Sequence, residues 1–301
     1  MPLRRDGGSV QAQEYHLGWI RLHVLLWDAD APGRPPVVLL HGLTGTAWSA
    51  WSAVARHLRQ LRPDLPVFAP DLRGHGESEW PPVGYRAEDF AGDVAALLER
   101  LPDGAAAVAG HSLGAIAGLL AAIARPERVH TLVLVDPPLD TRQAPVMQQI
   151  VSAARERLLL AELPLPARLE ALRRRFPGLT EQALHRLAAE YGQVAPQALR
   201  QSAQDLWGVD LDHPPVDGIW QLRPRVFMED YLPYVRCPVL IVQADPAAQG
   251  WPSVLPPQVA ARALELLPRA RLVTYTGVGH LVNAQAAARL AKDIVREIEN
   301  V

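Results

Sequence analysis

Four residues of this 301-residue sequence have the types and order needed to attack a carbonyl: Ser112, Asp136, Asp245 and His280. A serine hydroxyl is a weak nucleophile at neutral pH and needs a base to take its proton as it attacks. Histidine titrates near neutrality and suits that task. A carboxylate then fixes the imidazole tautomer and stabilises the imidazolium that forms. Ser112 lies in Gly110-His111-Ser112-Leu113-Gly114. Before it, Ala105–Ala109 suits a short buried strand; after it, Leu113, Ile116, Ala117, Leu120 and Ala124 recur at helical spacing. A serine between glycines at a strand-to-helix turn presents its hydroxyl for reaction, and the glycines remove Cβ atoms that the turn would crowd. The pentapeptide alone is a loose pattern, so its meaning depends on the residues around it.

His280 closes Gly277-Val278-Gly279-His280, where the glycines let a loop swing back over the sheet edge. Two downstream aspartates end apolar runs: Asp245 after Val239–Gln243, and Asp136 after Thr131–Val135. Both fit the chain order serine, acid, histidine. Asp245 is the preferred acid and Asp136 the alternative. The competing structural roles are an Asx turn for Asp245 and hydrogen bonds to nearby backbone N–H groups for Asp136. The oxyanion formed on attack needs fixed donors. The backbone N–H of Leu113, directly after the serine, is one; that of Leu43, in His41-Gly42-Leu43, is the other. His75 and Ser78 read as structural loop residues, and His111 as packing under the turn. Trp207, Trp220, Phe227 and Met228 are candidate pocket residues that could equally be core.

These residues need strands to carry them. His16–Trp27 is β-rich, with Gly18 turning one strand into the next, and Pro36–Leu40 and Val67–Asp71 are further strand candidates. Helical faces alternate with them: Trp51, Val54, Ala55, Leu58 and Leu61, then Phe90, Val94, Leu97, Leu98 and Leu101. The alternation implies an α/β fold with a doubly wound, mostly parallel sheet. It breaks between about Pro138 and Leu232, where three helical faces and several prolines replace strands, and resumes at Pro238. The expected division is a core of residues 1–137 and 233–301 with an inserted helical cap at 138–232. In such a sheet, ligands bind at the carboxyl ends of the strands, where the polar residues above fall.

Composition narrows the classes. Hydrophobic residues make up 49% and charged residues 21%, which suits a globular chain with a large core. The net charge of −2 provides no basic field for nucleic acid and no polybasic segment for a membrane surface. Cys237 is the only cysteine, so no intrachain disulfide forms, and it reads as a small buried hydrophobe. Gly104–Ala124 carries no charge and is long enough to span a bilayer, but His111, Ser112 and its glycines break it into strand, turn and helix. The N-terminus lacks the apolar segment of a signal peptide, and a cytoplasmic location is expected.

Taken with His41-Gly42-Leu43-Thr44-Gly45, Asp71-Leu72-Arg73-Gly74-His75-Gly76-Glu77-Ser78 and Gly279-His280, the serine turn makes the chain resemble the α/β-hydrolase superfamily over nearly its whole length. The resemblance implies a Ser-His-Asp triad, a lid built from the helical insertion, and no metal or organic cofactor. Members commonly show Gly-x-x-Asp after the acid-bearing strand; here that slot falls on Ala247, and Asp245 comes two residues early. The expectation is a serine hydrolase acting on a small-molecule carboxylic ester. A ligand-binding receptor on the same scaffold is the alternative, and lactonase, thioesterase, carbon–carbon bond hydrolase, perhydrolase and acyltransferase chemistries stay open.

Overall fold

The computed structural model describes residues 3–4, 9–29, 34–101, 104, 106–140, 146–223 and 227–300. Ala105, expected at the start of the serine strand, lies outside them. The strands are β1 (Leu3–Arg4), β2 (Ser9–His16), β3 (Arg21–Trp27), β4 (Val37–Leu40), β5 (Val67–Pro70), β6 (Ala106–His111), β7 (Val129–Val135), β8 (Val239–Ala244) and β9 (Ala270–Tyr275). Among the described residues they form one sheet in the order β1-β2-β3-β5-β4-β6-β7-β8-β9. β1, β2 and β3 run antiparallel to their neighbours, and β4 to β9 run parallel.

Every residue of β4, β5, β6 and β8 is buried, which explains their unbroken apolar sequences. Alternate residues serve two cores, as strand geometry requires. Val37 and Leu39 pack with α1 (Ala47–Leu61) and α10 (Ala287–Glu299) on one face. Val38 and Leu40 pack with α2 (Ala87–Leu98), α3 (Leu113–Ala124) and α8 (Pro257–Leu266) on the other. No helix among the described residues is long and apolar enough to cross a membrane.

Among the described residues four α-helices lie between β7 and β8: α4 (Met147–Ala161), α5 (Leu165–Arg175), α6 (Glu181–Tyr191) and α7 (Pro196–Trp207). α4 and α7 join the larger core. α7 is bound to the start of α2: the Asp205 carboxylate accepts the Ala87 N–H at 2.9 Å, and Ser202 Oγ donates to the Tyr85 carbonyl at 3.0 Å. α5, α6 and the end of α4 enclose a small core of their own, Leu160, Leu172, Leu184 and Ala188. Arg168 closes it by donating to the carbonyls of Leu160, Ala161, Leu163 and Ala188, helix-end groups with no intrahelical donor or a shared one. Only Leu172 of α5 is fully buried, and its arginine run pairs with glutamates in solvent, so α5 has little apolar signal in the sequence.

The turn from β6 into α3 is held by close backbone packing. A Cβ at Gly110 would overlap the carbonyl oxygen of Gly114, and one at Gly114 would overlap that of Leu40 on the next strand. Gly114→Ala should therefore lower stability by about 3 kcal/mol, read from urea unfolding midpoints. A methyl group added at Gly92 in α2 would meet no atom within 4 Å, so Gly92→Ala should raise stability by roughly 0.5–1 kcal/mol.

Candidate active site

Ser112 stands between β6 and α3 with φ 52° and ψ −116°, a conformation that a non-glycine residue holds only under constraint. Its own N–H is bound to the Val135 carbonyl at 3.1 Å. Leu113 opens α3, so its N–H belongs to the first turn, where no intrahelical carbonyl is available. Ser112, Leu113, Leu43, His111 and His280 line one cavity at the carboxyl ends of the strands.

His280 Nδ1 lies 2.7 Å from Asp136 Oδ2. Asp136 ends β7 with φ 43° and is fully buried. Its carboxylate also accepts the Ala244 N–H at 3.0 Å, the Val254 N–H at 2.9 Å and the Ser253 hydroxyl at 2.5 Å. With both carboxylate oxygens accepting, the His280 contact requires an Nδ1–H donor and leaves Nε2 as the basic nitrogen of the neutral ring. The preference for Asp245 is thus corrected: its carboxylate does not reach His280. It accepts the Ala247 N–H at 2.8 Å, closing an Asx turn, and the Gly277 N–H at 2.7 Å. The Gly277 bond, then the Ala247 bond, holds the Asp245 carboxyl below the usual range. Asp245 shapes the loop that leads to His280 and leaves the pairing to Asp136. Ser253 carried no signal in the sequence, because its role depends on the loop after β8 folding back over β7.

The loop that carries Leu43 is fixed by two buried histidines. The Leu72 N–H donates to His41 Nε2 at 2.9 Å, so His41 donates through Nδ1 to the Gly42 carbonyl at 2.8 Å. The Gly45 N–H binds the same carbonyl at 3.0 Å. In a trans peptide the N–H points opposite to the carbonyl, so these bonds turn the Leu43 N–H the other way. His75 Nε2 lies 2.7 Å from the Leu43 carbonyl. Burial, with His75 nearby, pushes the His41 imidazole down to about 3 and keeps it neutral. Asp71 anchors the next loop by accepting from the Ala47 N–H at 2.7 Å, the Glu77 N–H at 3.2 Å and His23 Nδ1 at 3.0 Å. Ser78 donates to the Asp71 carbonyl and accepts the His23 N–H.

The cavity measures about 70 Å³, against roughly 10–15 Å³ for one water on the same scale. Met147, Ile150, Ala153 and Ala154 of α4 and Leu206 and Trp207 of α7 form its apolar wall, and no described lining residue is an aspartate, glutamate, lysine or arginine. Of the four expected pocket residues, only Trp207 lines it. Trp220 instead fastens its loop to α4, donating its indole N–H to Ser152 Oγ at 2.9 Å. Met228 is buried in the main core, and Phe227, just before it, is not part of the described cavity wall. The α4 residues were missed because their helical spacing reads only as a generic apolar face. Among the described residues no group of histidine, cysteine or acidic side chains is placed to hold a metal ion.

The alpha/beta hydrolase fold family matches residues 35–287. This chain belongs to that family. It is 29% identical over 282 residues to the 2-(acetamidomethylene)succinate hydrolase of Mesorhizobium japonicum, covering 88% of each chain. The crystal structure of E-2-(acetamidomethylene)succinate hydrolase superposes with a TM-score of 0.69 at 25% identity, covering 96% of this chain and 99% of that one. Lipase LipV of Mycobacterium tuberculosis is 39% identical over 120 residues, a match spanning 39% of this chain and 42% of the lipase. Relatives and fold together put this alpha/beta hydrolase among the hydrolases.

Two outcomes follow from the geometry. Phosphonylation of Ser112 by a fluorophosphonate, followed by mass spectrometry, should slow by about 10³–10⁴-fold in Asp136→Asn and stay within about threefold of the parent in Asp245→Asn. The hydrogen bond that His23 donates to the Asp71 carboxylate raises the His23 pKa above 6.5, so the stability this pair provides is complete below that pH and declines as pH rises through the raised value. Chemical denaturation across that range should show the decline in the parent and not in His23→Gln.

Proposed function

We propose that this alpha/beta hydrolase is a serine hydrolase that cleaves carboxylic ester-type bonds through an acyl-enzyme. The observation that carries the reading is a buried Asp136–His280 pair whose histidine shares an apolar cavity with a strained serine at the start of a helix. His280 Nε2 takes the Ser112 proton as Oγ attacks the acyl carbon. The tetrahedral oxyanion accepts the N–H groups of Leu43 and Leu113, each typically worth about 2.7–4 kcal/mol of transition-state stabilisation. The imidazolium then protonates the leaving alcohol, and Asp136 stabilises the charge while it lasts. Water, deprotonated by the same histidine, attacks the acyl-enzyme; as the second tetrahedral intermediate collapses, the acyl–Oγ bond breaks, the imidazolium returns its proton to Ser112 Oγ, and the acid leaves.

The cavity's size and lining favour a short, uncharged acyl group. The relative from Mesorhizobium japonicum is named for a succinate, which has two carboxylates. A carboxylate moved into an apolar site needs a cationic or hydrogen-bonding partner, and the described wall here has no lysine or arginine. Short p-nitrophenyl esters should therefore be turned over, with kcat/KM falling from butyrate to octanoate by about tenfold or more. Trp207→Ala should relieve that fall. Ser112→Ala should abolish turnover and fluorophosphonate labelling together. A folded parent that neither labels at Ser112 nor hydrolyses any of these esters contradicts the reading.

A further inference from the structure

His280 is held at several points. Its N–H donates to the Trp251 carbonyl at 2.7 Å and its Nδ1–H to Asp136 at 2.7 Å. The loop before it is tied by Asp245 to Gly277, and Gly279 donates to Gln285 Oε1 at 2.8 Å. All these partners lie at the end of β7, beyond β8 or on α9 (Val282–Gln285). The His280 carbonyl accepts the Val282 N–H at 2.9 Å within its own turn, and it also accepts His111 Nε2–H at 2.8 Å. His111 is the last residue of β6, directly before Ser112. Among the described hydrogen bonds, that from His111 to the His280 carbonyl is the only one by which a side chain links the histidine loop to the strand that carries the serine.

We propose that His111 is a positioning residue whose Nε2–H, given to the His280 carbonyl, keeps the base in register with Ser112. The two residues share a peptide unit, so a shift of the serine carries His111 and the loop it holds. The His111 ring is tilted 41° to the His280 ring with centroids 4.7 Å apart, and it is buried. Its other nitrogen faces the oxyanion loop, where a Cβ on Gly42 would come within 3.1 Å of Nδ1. One imidazole thus touches the base, the nucleophile's strand and the loop of Leu43. Burial, reinforced by His280 nearby, pushes the His111 imidazole down to about 3. The ring therefore stays neutral, and the carbonyl acceptor at Nε2 fixes the tautomer with the proton on that nitrogen.

The kinetic part of this role rests on the serine-hydrolase reading; the structural part does not. Two variants separate the donor from the volume: His111→Leu removes the N–H, and His111→Gln restores an N–H at similar reach. For p-nitrophenyl acetate, His111→Leu should lower kcat by about 10–100-fold with KM within about twofold, and His111→Gln should recover to within about threefold of the parent. The downfield proton resonance of the His280–Asp136 hydrogen bond should be lost to exchange in the leucine variant and retained in the glutamine variant. A leucine variant with parental kcat and an intact resonance overturns the role, as does a folded glutamine variant no better than leucine. In the parent, ¹⁵N spectroscopy should find His111 protonated at Nε2 and not titrating between about pH 5 and pH 9. An Nδ1-protonated or titrating His111 overturns it even if neither variant folds, and even if the parent proves inactive.

Discussion

A fully buried carboxylate at the end of β7 organises this end of the molecule. A carboxylate buried away from solvent needs partners for both of its oxygens. Its donors come from the end of β8, from the loop after β8 and from the loop after β9. Each segment must close over the anion for the others to have a place. Satisfying the charge therefore pulls the β8 loop back over β7 and brings His280 across β8 toward the strand next to that of Ser112. A positive φ at Asp136 aims the side chain at these donors, as the positive φ of Ser112 turns its residue into the cavity.

The opposite wall is set by buried histidines hydrogen-bonded to backbone carbonyls. His41 holds the Gly42 carbonyl, His75 lies against the Leu43 carbonyl, and His111 holds the His280 carbonyl. Each orients a peptide group that borders the site, and burial lowers the pKa of each of these rings, to about 3 for His41 and His111. The segment between β7 and β8 shares in this scaffold. Gly76 N–H donates to the Gln193 carbonyl at 2.8 Å and Ala195 N–H to the Gly74 carbonyl at 2.7 Å, clasping the segment that carries His75. The Gln193–Ala195 segment and Leu43 are thus linked through one imidazole.

Much of this was legible in the residues. Continuous apolar runs marked the buried parallel strands, and Gly110 and Gly114 marked a turn where no Cβ fits. The order of Ser112, His280 and a strand-end aspartate marked the constellation. The choice between aspartates was not legible, because Asp136 and Asp245 both end apolar strands after the serine. What separates them is three-dimensional: β7 lies beside the serine strand, and the donors that stabilise Asp136 come from Ala244, Ser253 and Val254, far along the chain. The cavity wall was hidden for a related reason. A helix such as α4 has one apolar stripe, and spacing alone does not say which part faces the core and which part faces a substrate. Trp220 looked equally suited to a pocket, but its indole N–H found Ser152 and its ring joined the core.

The most direct measurement is a crystal structure of the chain after reaction with a small fluorophosphonate. The account predicts phosphorus bonded to Ser112 Oγ, with the phosphonyl oxygen about 2.7–3.1 Å from the N–H groups of both Leu43 and Leu113 and His280 still paired with Asp136. An adduct on another residue, or a phosphonyl oxygen turned away from those two N–H groups, would contradict it.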